Sequence, residues 1–320
     1  MTSPLVTTLA AMTVACPDPT HFAEFLVDVW DWEILVKSPL SADVERLWGI
    51  DAGTAGTEFF IVRSAGANRG MVRIVAGEER SRTHPRAARW GGFEIVVADG
   101  IEGIHEAMTA HPDAAPFGPV FEYDFTKEDS NIHQAFSSRL PGGTHVTLTM
   151  AVTQPKYRPF HSANARVGHI FEVPVTTPDY RRCRAFYENT LGMTPTLESS
   201  STDGPMHRAW GVPAGSMYWL DILKGDAPDE GLGSVEIHGC GGEFIDPDPA
   251  RLRRFDGGAC LATLTAADID AVHRVVQDCA EATVLSDPRS VAAAPYNGSR
   301  AFCFSGPDGE RIEICEAMWG

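Results

Sequence analysis

The residues best equipped for chemistry are three glutamates and a histidine in the second half of the chain: Glu172, Glu236, Glu313 and His238. Each lies in a short run that is apolar at every second position, and side chains alternate between the two faces of a strand. In Gly168–Val175, Phe171, Val173 and Val175 form one apolar face, which leaves Glu172 and Pro174 on the other and sends His169 to the apolar side. In Ser234–His238, Val235 and Ile237 pack, leaving Glu236 and His238. In the last such run Ile312 and Ile314 pack, and Arg311, Glu313 and Cys315 face the other way. Three carboxylates around one hollow repel unless a cation sits among them or one keeps its proton. Glu172, Glu236 and Glu313, with His238 beside them, make an oxygen-rich set suited to Mg²⁺, Mn²⁺, Fe²⁺ or Zn²⁺. The competing reading is structural, an ion pair of Glu236 or Glu172 with Arg311 or Arg208. His169 packs on the helix side unless a bulge in its strand turns it inward, where it would join the metal ligands.

The elements that must carry these groups repeat. Val6–Leu26 aligns without a gap on Val167–Tyr187, so that Pro17-Asp18 recurs as Pro178-Asp179 and Phe25 as Phe186. The echo continues in Trp48-Gly49 against Trp210-Gly211 and in Val72–Val75 against Val235–His238. Each copy opens with an alternating strand, then a helix capped by Asp18 or Asp179, with Pro19 at the first turn of one and Leu191-Gly192 closing the other. Short strand-like runs follow, and the unit then starts again inside each half, at Gly92–Ala98 and Cys260–Thr265. The pattern predicts four βαβββ modules in an α+β fold, divided into domains at 1–152 and 166–320 by a polar, Pro-containing linker over 153–165.

Composition limits the partners. A net charge of −17 over 320 residues disfavours nucleic acid and anionic membrane surfaces, and no apolar run is long enough to span a bilayer. Seven cysteines without a CxxC or a regular framework fit reduced thiols in the cytoplasm. The expected partner is a small molecule, with a homodimer possible through the first half. Tyr218, Trp219, His207 and Met206 are placed to rim a pocket receptive to aromatic groups.

Arg184–Gly192 (RAFYENTLG) together with Gly306–Ile314 (GPDGERIEI) resembles the vicinal oxygen chelate superfamily, the relatives of glyoxalase, extradiol dioxygenase and bleomycin-resistance proteins. The resemblance implies that modules pair into two cup-shaped mixed sheets, each cup able to hold a divalent metal on its first and last strands. Its metal positions fall on Glu172, Glu236, Glu313 and Leu261, and in the first copy on Ala11, Arg73, Phe93 and Thr147. The implied working site is therefore the cup of the second half, with the first half a degenerate partner. The implied activity is that of a divalent-metal-dependent isomerase, epimerase or lyase acting next to a carbonyl, with Glu172, Glu313 or His238 moving the proton. An iron dioxygenase would need His169 or His238 to replace the ligand missing at Leu261. A metal-free enzyme with a buried glutamate base, or a binding protein, completes the alternatives.

Overall fold

Four times along the chain an apolar strand runs into a helix and out into further strands, and three of those helices are capped by an aspartate. The computed structural model describes residues 4–50, 53–78, 89–124, 132–153, 160–205, 207, 210–227, 231, 233–240, 255 and 257–316. Met206, Arg208 and positions 154–159 of the expected linker lie outside the described residues. The first module comprises β1 (Leu9–Cys16), α1 (Pro19–Trp30), β2 (Glu33–Pro39), α2 (Ala42–Leu47), β3 (Glu58–Arg63) and β4 (Met71–Ala76). The second comprises β5 (Arg89–Trp90), β6 (Phe93–Val97), α3 (Ile101–Ala110), β7 (Ala115–Pro116), β8 (Phe121–Asp124), β9 (Ile132–Arg139) and β10 (His145–Ala151). The third holds β11 (Val167–Thr177), α4 (Tyr180–Asn189), β12 (Thr194–Ser201), β13 (Tyr218–Lys224) and β14 (Val235–Cys240). The fourth holds β15 (Gly258–Thr265), α5 (Ile269–Gln277), β16 (Thr283–Ser290), β17 (Arg300–Ser305) and β18 (Arg311–Cys315).

The helices start where the capping residues require. Asp18, Asp179 and Asp268 each accept a hydrogen bond from the backbone N–H three residues on, at 2.9, 3.1 and 2.9 Å. These bonds satisfy an orphan donor of the first turn. α1 also carries Pro19 at its start, and Gly192 takes the left-handed conformation (φ 70°) just beyond α4.

The modules pair differently from the sequential order expected. One sheet has eight strands in the order β16-β17-β18-β15-β1-β4-β3-β2, joining the fourth module to the first. The other has ten strands, eight of them in the order β12-β13-β14-β11-β6-β10-β9-β7, joining the third module to the second. The joins are antiparallel, β1 to β15 and β11 to β6. Each half of the chain thus gives one module to each sheet. Alternation dictates which face of a strand is buried, but all four modules present the same kind of edge, and nothing local says which edges meet. β1 and β11 are buried along their whole lengths because both of their faces are covered, one by the helix-side core and the other by the clusters in the hollows.

One apolar core takes Phe22, Leu26, Ile104, Phe186, Val272 and Val276 from the helices together with the helix-facing side chains of both sheets. A second cluster fills the hollow of the eight-stranded sheet around Trp48, Phe59, Leu261 and Tyr296. A third lies in the hollow of the ten-stranded sheet around Phe160, Phe171, Trp210 and Tyr218. Among the described residues, no helix is long and apolar enough to cross a membrane.

Candidate metal centre

The hollow of the ten-stranded sheet gathers three glutamates from three strands. In β6, Phe93, Ile95 and Val97 belong to the helix-side core, so Glu94 points the other way. Across the junction Glu94 pairs with Glu172 of β11, and in β14 Val235 and Ile237 pack while Glu236 faces the hollow. One carboxylate oxygen of each of Glu94, Glu172 and Glu236 lies within 4.8 Å of the other two, and all three side chains are buried. Among the described residues this is the one cluster of acidic, histidine or cysteine side chains spaced to hold an ion.

β11 reaches the site through irregularities in its pairing with β6. Ile170 pairs with Ile95 and Glu172 with Glu94, so two steps along β11 match one along β6 and Phe171 is the extra residue. Phe171 consequently joins the hollow's aromatic cluster, against the expectation that it packs under the helix. His169 is buried beside His161, whose ring packs 4.8 Å from Phe171, and it stays outside the carboxylate cluster.

Burial dominates the electrostatics of Glu94 and Glu236. Burial, then the neighbouring Glu236, holds the Glu94 carboxyl well above its usual range, and burial pushes Glu236 up to about 8. Each acts on the other's hold on its proton, so the two titrate as a pair. His238 supplies no compensating charge, because burial holds its imidazole down to about 3. Its Nε2 lies 2.6 Å from Glu236 Oε2, a close contact short of hydrogen-bond alignment, and its Nδ1 is 3.0 Å from the Tyr218 hydroxyl. Tyr123, on β8, feels Glu94, Glu236 and Glu172 in turn, after burial, and its phenol is held protonated. Glu94 accepts from the Thr149 hydroxyl at 3.5 Å, while Asp221 meets Arg184 at 2.8 Å, Asp308 meets Arg182 at 2.6 Å, and Glu310 accepts from the Tyr187 hydroxyl at 3.1 Å.

Glu313 belongs to the other hollow, contrary to its expected place among the metal ligands. It faces Arg73 with Oε2 2.8 Å from Nη1, both side chains fully buried. Trp48 Nε1 donates to it at 2.9 Å, Thr263 Oγ1 at 2.6 Å, and the Tyr296 hydroxyl closes the ring. The Arg73 Nε donates to Thr13 at 2.8 Å. Glu313 is thus held in a structural ion pair with Arg73, a pairing the sequence reading did not anticipate. Arg311 stands in this same hollow, giving a hydrogen bond to the Trp48 carbonyl at 3.2 Å, so it is no partner of Glu236 or Glu172. Cys315 is buried packing there. His207 and Tyr218 do border the ten-stranded hollow, with rings 5.4 Å apart, whereas Trp219 stacks outside it on Tyr180.

Glu94 is the site residue that sequence comparison of the two halves passed over. The repeat alignment matched Phe93 to Leu261, but Glu94 stands opposite Thr147 as Thr263 stands opposite Glu313. The one-residue slip falls beside Gly92 (φ 154°), where the chain breaks between β5 and β6. Alternation within Phe93–Val97 carries the missing signal, a lone acid between three packed apolar residues.

Solved structures share this architecture. Glyoxalase I from Zea mays superposes with a TM-score of 0.61 at 15% identity, covering 97% of this chain and 92% of that one. A Bacillus subtilis protein described as a candidate dioxygenase superposes with a TM-score of 0.63 at 10% identity, over 98% and 86%. The fold is shared with glyoxalase I. At these identities the likeness establishes the vicinal oxygen chelate fold expected from the sequence and assigns no reaction. No protein-family model and no curated protein matches the chain.

Proposed function

We propose that the protein is a divalent-metal-dependent enzyme of the glyoxalase-like fold, an isomerase, epimerase or lyase acting beside a carbonyl of a small substrate. The observation that carries this reading is the buried Glu94, Glu172 and Glu236 cluster, in which the influences on Glu94 and Glu236 are burial, each other, His238 and a threonine. Three hard oxygen donors and no thiolate fit Mg²⁺, Mn²⁺ or Fe²⁺, and also Zn²⁺. A bound ion would supply Lewis acidity toward a substrate oxygen. Tyr123 would hold its phenolic proton toward that oxygen, and a carboxylate of the cluster would take the proton from the neighbouring carbon. A ring-cleaving iron site is less well supported, since neither His169 nor His238 enters the cluster. Elemental analysis of the purified protein tests the reading, with one divalent ion per chain as the expected result.

A second reading draws on the closeness of the buried Glu94 and Glu236 carboxyls, within 4.8 Å of each other, and on the raised Glu236. One of the pair, kept protonated and then released, could serve as the base without a metal. An active protein that keeps full turnover after exhaustive chelation would favour it.

The pH dependence follows from the same pair. Folding raises Glu236 from an ordinary 4.5 to about 8. The stability given by its proton is therefore complete below about pH 4.5 and is lost as the pH rises through about 8. Metal-free protein is expected to melt at steadily lower temperatures across that window. A bound ion would take the place of the Glu236 proton, so thermal melts with Mn²⁺ should show a flatter decline.

Tyr218 fixes the His238 ring, which lies against Glu236 from outside the cluster. His238→Ala is expected to weaken metal binding by about 10–100-fold, the usual cost of losing an outer-shell partner. Competition dialysis against a chelator measures it, and Tyr218→Phe should produce a smaller loss in the same direction.

A further inference from the structure

Trp48 and Trp210 occupy matching places in the two halves of the chain, and each stands in the hollow of a sheet. Their indole N–H groups differ in what they meet. Trp48 Nε1 donates to Glu313 Oε1 at 2.9 Å and to the Tyr296 hydroxyl at 3.1 Å, while Glu313 Oε2 accepts from Arg73 at 2.8 Å and from Thr263 at 2.6 Å. One carboxylate thus bridges an indole and a cation. In the ten-stranded sheet the register positions of Arg73, Thr263 and Glu313 hold Glu236, Glu94 and Thr147. Thr147 brings no carboxylate, and its hydroxyl lies 3.1 Å from Ser137 Oγ. Trp210 Nε1 is buried with no hydrogen-bond partner among the described residues. A buried donor without an acceptor is costly, which marks it as a place where an acceptor arrives. The ring itself is fixed: His238 packs on it at 4.1 Å and 72°, His145 at 4.7 Å, and a Cβ on Gly91 would come 2.8 Å from Cζ3. The six-membered end of the indole therefore abuts Gly91, and the end bearing Nε1 is turned away from it. His238 Nε2 lies 2.6 Å from Glu236 Oε2, so the indole is one ring removed from the carboxylate cluster.

We propose that Trp210 is a substrate-binding residue whose indole N–H donates to an oxygen of the bound ligand, and that the Glu313 carboxylate is an internal image of that ligand. The inference rests on the reading of Glu94, Glu172 and Glu236 as a metal centre and adds a donor that this centre offers its substrate. In the eight-stranded hollow one oxygen of the carboxylate faces the cationic Arg73 and the other faces the indole. In the ten-stranded hollow Glu236 stands at the register position of Arg73. The cation side of the same arrangement then falls to the ion that Glu236 would help to hold. The ligand class is a compound with an oxygen for the ion and, next to it, a carbonyl or carboxylate oxygen that accepts from Trp210. An ammonium group in that second place would set donor against donor in a desolvated space.

The test uses full-length, ¹⁵N-labelled protein loaded with Zn²⁺ and acetohydroxamic acid as the probe, which carries a carbonyl and a hydroxyl oxygen on adjacent atoms. The seven tryptophans give seven indole N–H resonances, and the one that Trp210→Phe removes belongs to Trp210. Titration is expected to move that proton downfield in step with the probe bound, as measured by calorimetry. Trp210→Phe keeps a ring between His145 and His238 but no donor, and is expected to weaken the probe about tenfold while Zn²⁺ affinity stays within about twofold. Bound probe with the Trp210 resonance unmoved overturns the inference, as does equal affinity in the variant. No binding of the probe, with or without Zn²⁺, overturns it too. The resonance is also identified by its proximity to the His145 and His238 ring protons, so the wild-type titration decides alone if the variant does not fold. Failure of the metal reading shows separately, as wild-type protein that takes up no Zn²⁺. The same titration on metal-free protein then decides the role of the indole.

Discussion

Glu94→Gln is expected to abolish stoichiometric metal binding, and Glu236→Gln to do the same. Each change removes one of three charged oxygen donors that lie within 4.8 Å of one another. An amide oxygen coordinates a hard cation far more weakly than a carboxylate does. The loss should therefore exceed the 10–100-fold that outer-shell changes cost, and turnover should fall with it. Unlike many buried-charge deletions, these substitutions should not unfold the protein. Glu94 and Glu236 repel each other when both are ionised, and Glu94 interacts with Glu236 most strongly after burial itself. The metal-free Gln variants are accordingly expected to melt at or above the temperature of metal-free wild type at pH 8, where Glu236 loses its proton. Metal content by elemental analysis and thermal melts together decide this. Full metal occupancy in both variants would remove the carboxylate cluster from the chemistry.

Glu313→Ala should have the opposite profile. It leaves the Arg73 guanidinium fully buried without its carboxylate and strips the Trp48, Thr263 and Tyr296 donors of their acceptor. Breaking a buried pair from one side costs about 3–5 kcal/mol. Denaturant titration should show that loss as a lower midpoint. Metal content per folded chain should stay at the wild-type value, because Glu313 lies in the other hollow. Replacing both partners by apolar residues, Arg73→Met with Glu313→Leu, is expected to recover most of the stability, since no buried charge is then left unmatched. A Glu313→Ala protein of wild-type stability that has lost its metal would reverse this assignment.

The two hollows share one scaffold and solve the same problem differently. Each draws two side chains from either half of the chain at matching register positions. In the eight-stranded sheet those positions hold Ala11, Arg73, Thr263 and Glu313, which neutralise themselves. In the ten-stranded sheet they hold Glu172, Glu236, Glu94 and Thr147, three acids and a threonine.

By itself the sequence determined the modules, their caps and the faces of their strands. Asp18, Asp179 and Asp268 start helices, and Glu172, Glu236 and His238 look away from the helix layer, because capping and alternation act over a few residues and leave their mark in the order of side chains. It did not determine which hollow each acid enters. That depends on edge pairing between strands far apart in the chain, β1 with β15 and β11 with β6, where all four modules offer similar edges. Only the tertiary structure set Glu313 against Arg73 and brought Glu94 to Glu172 and Glu236, and it did so through backbone hydrogen bonds that carry no side-chain signature.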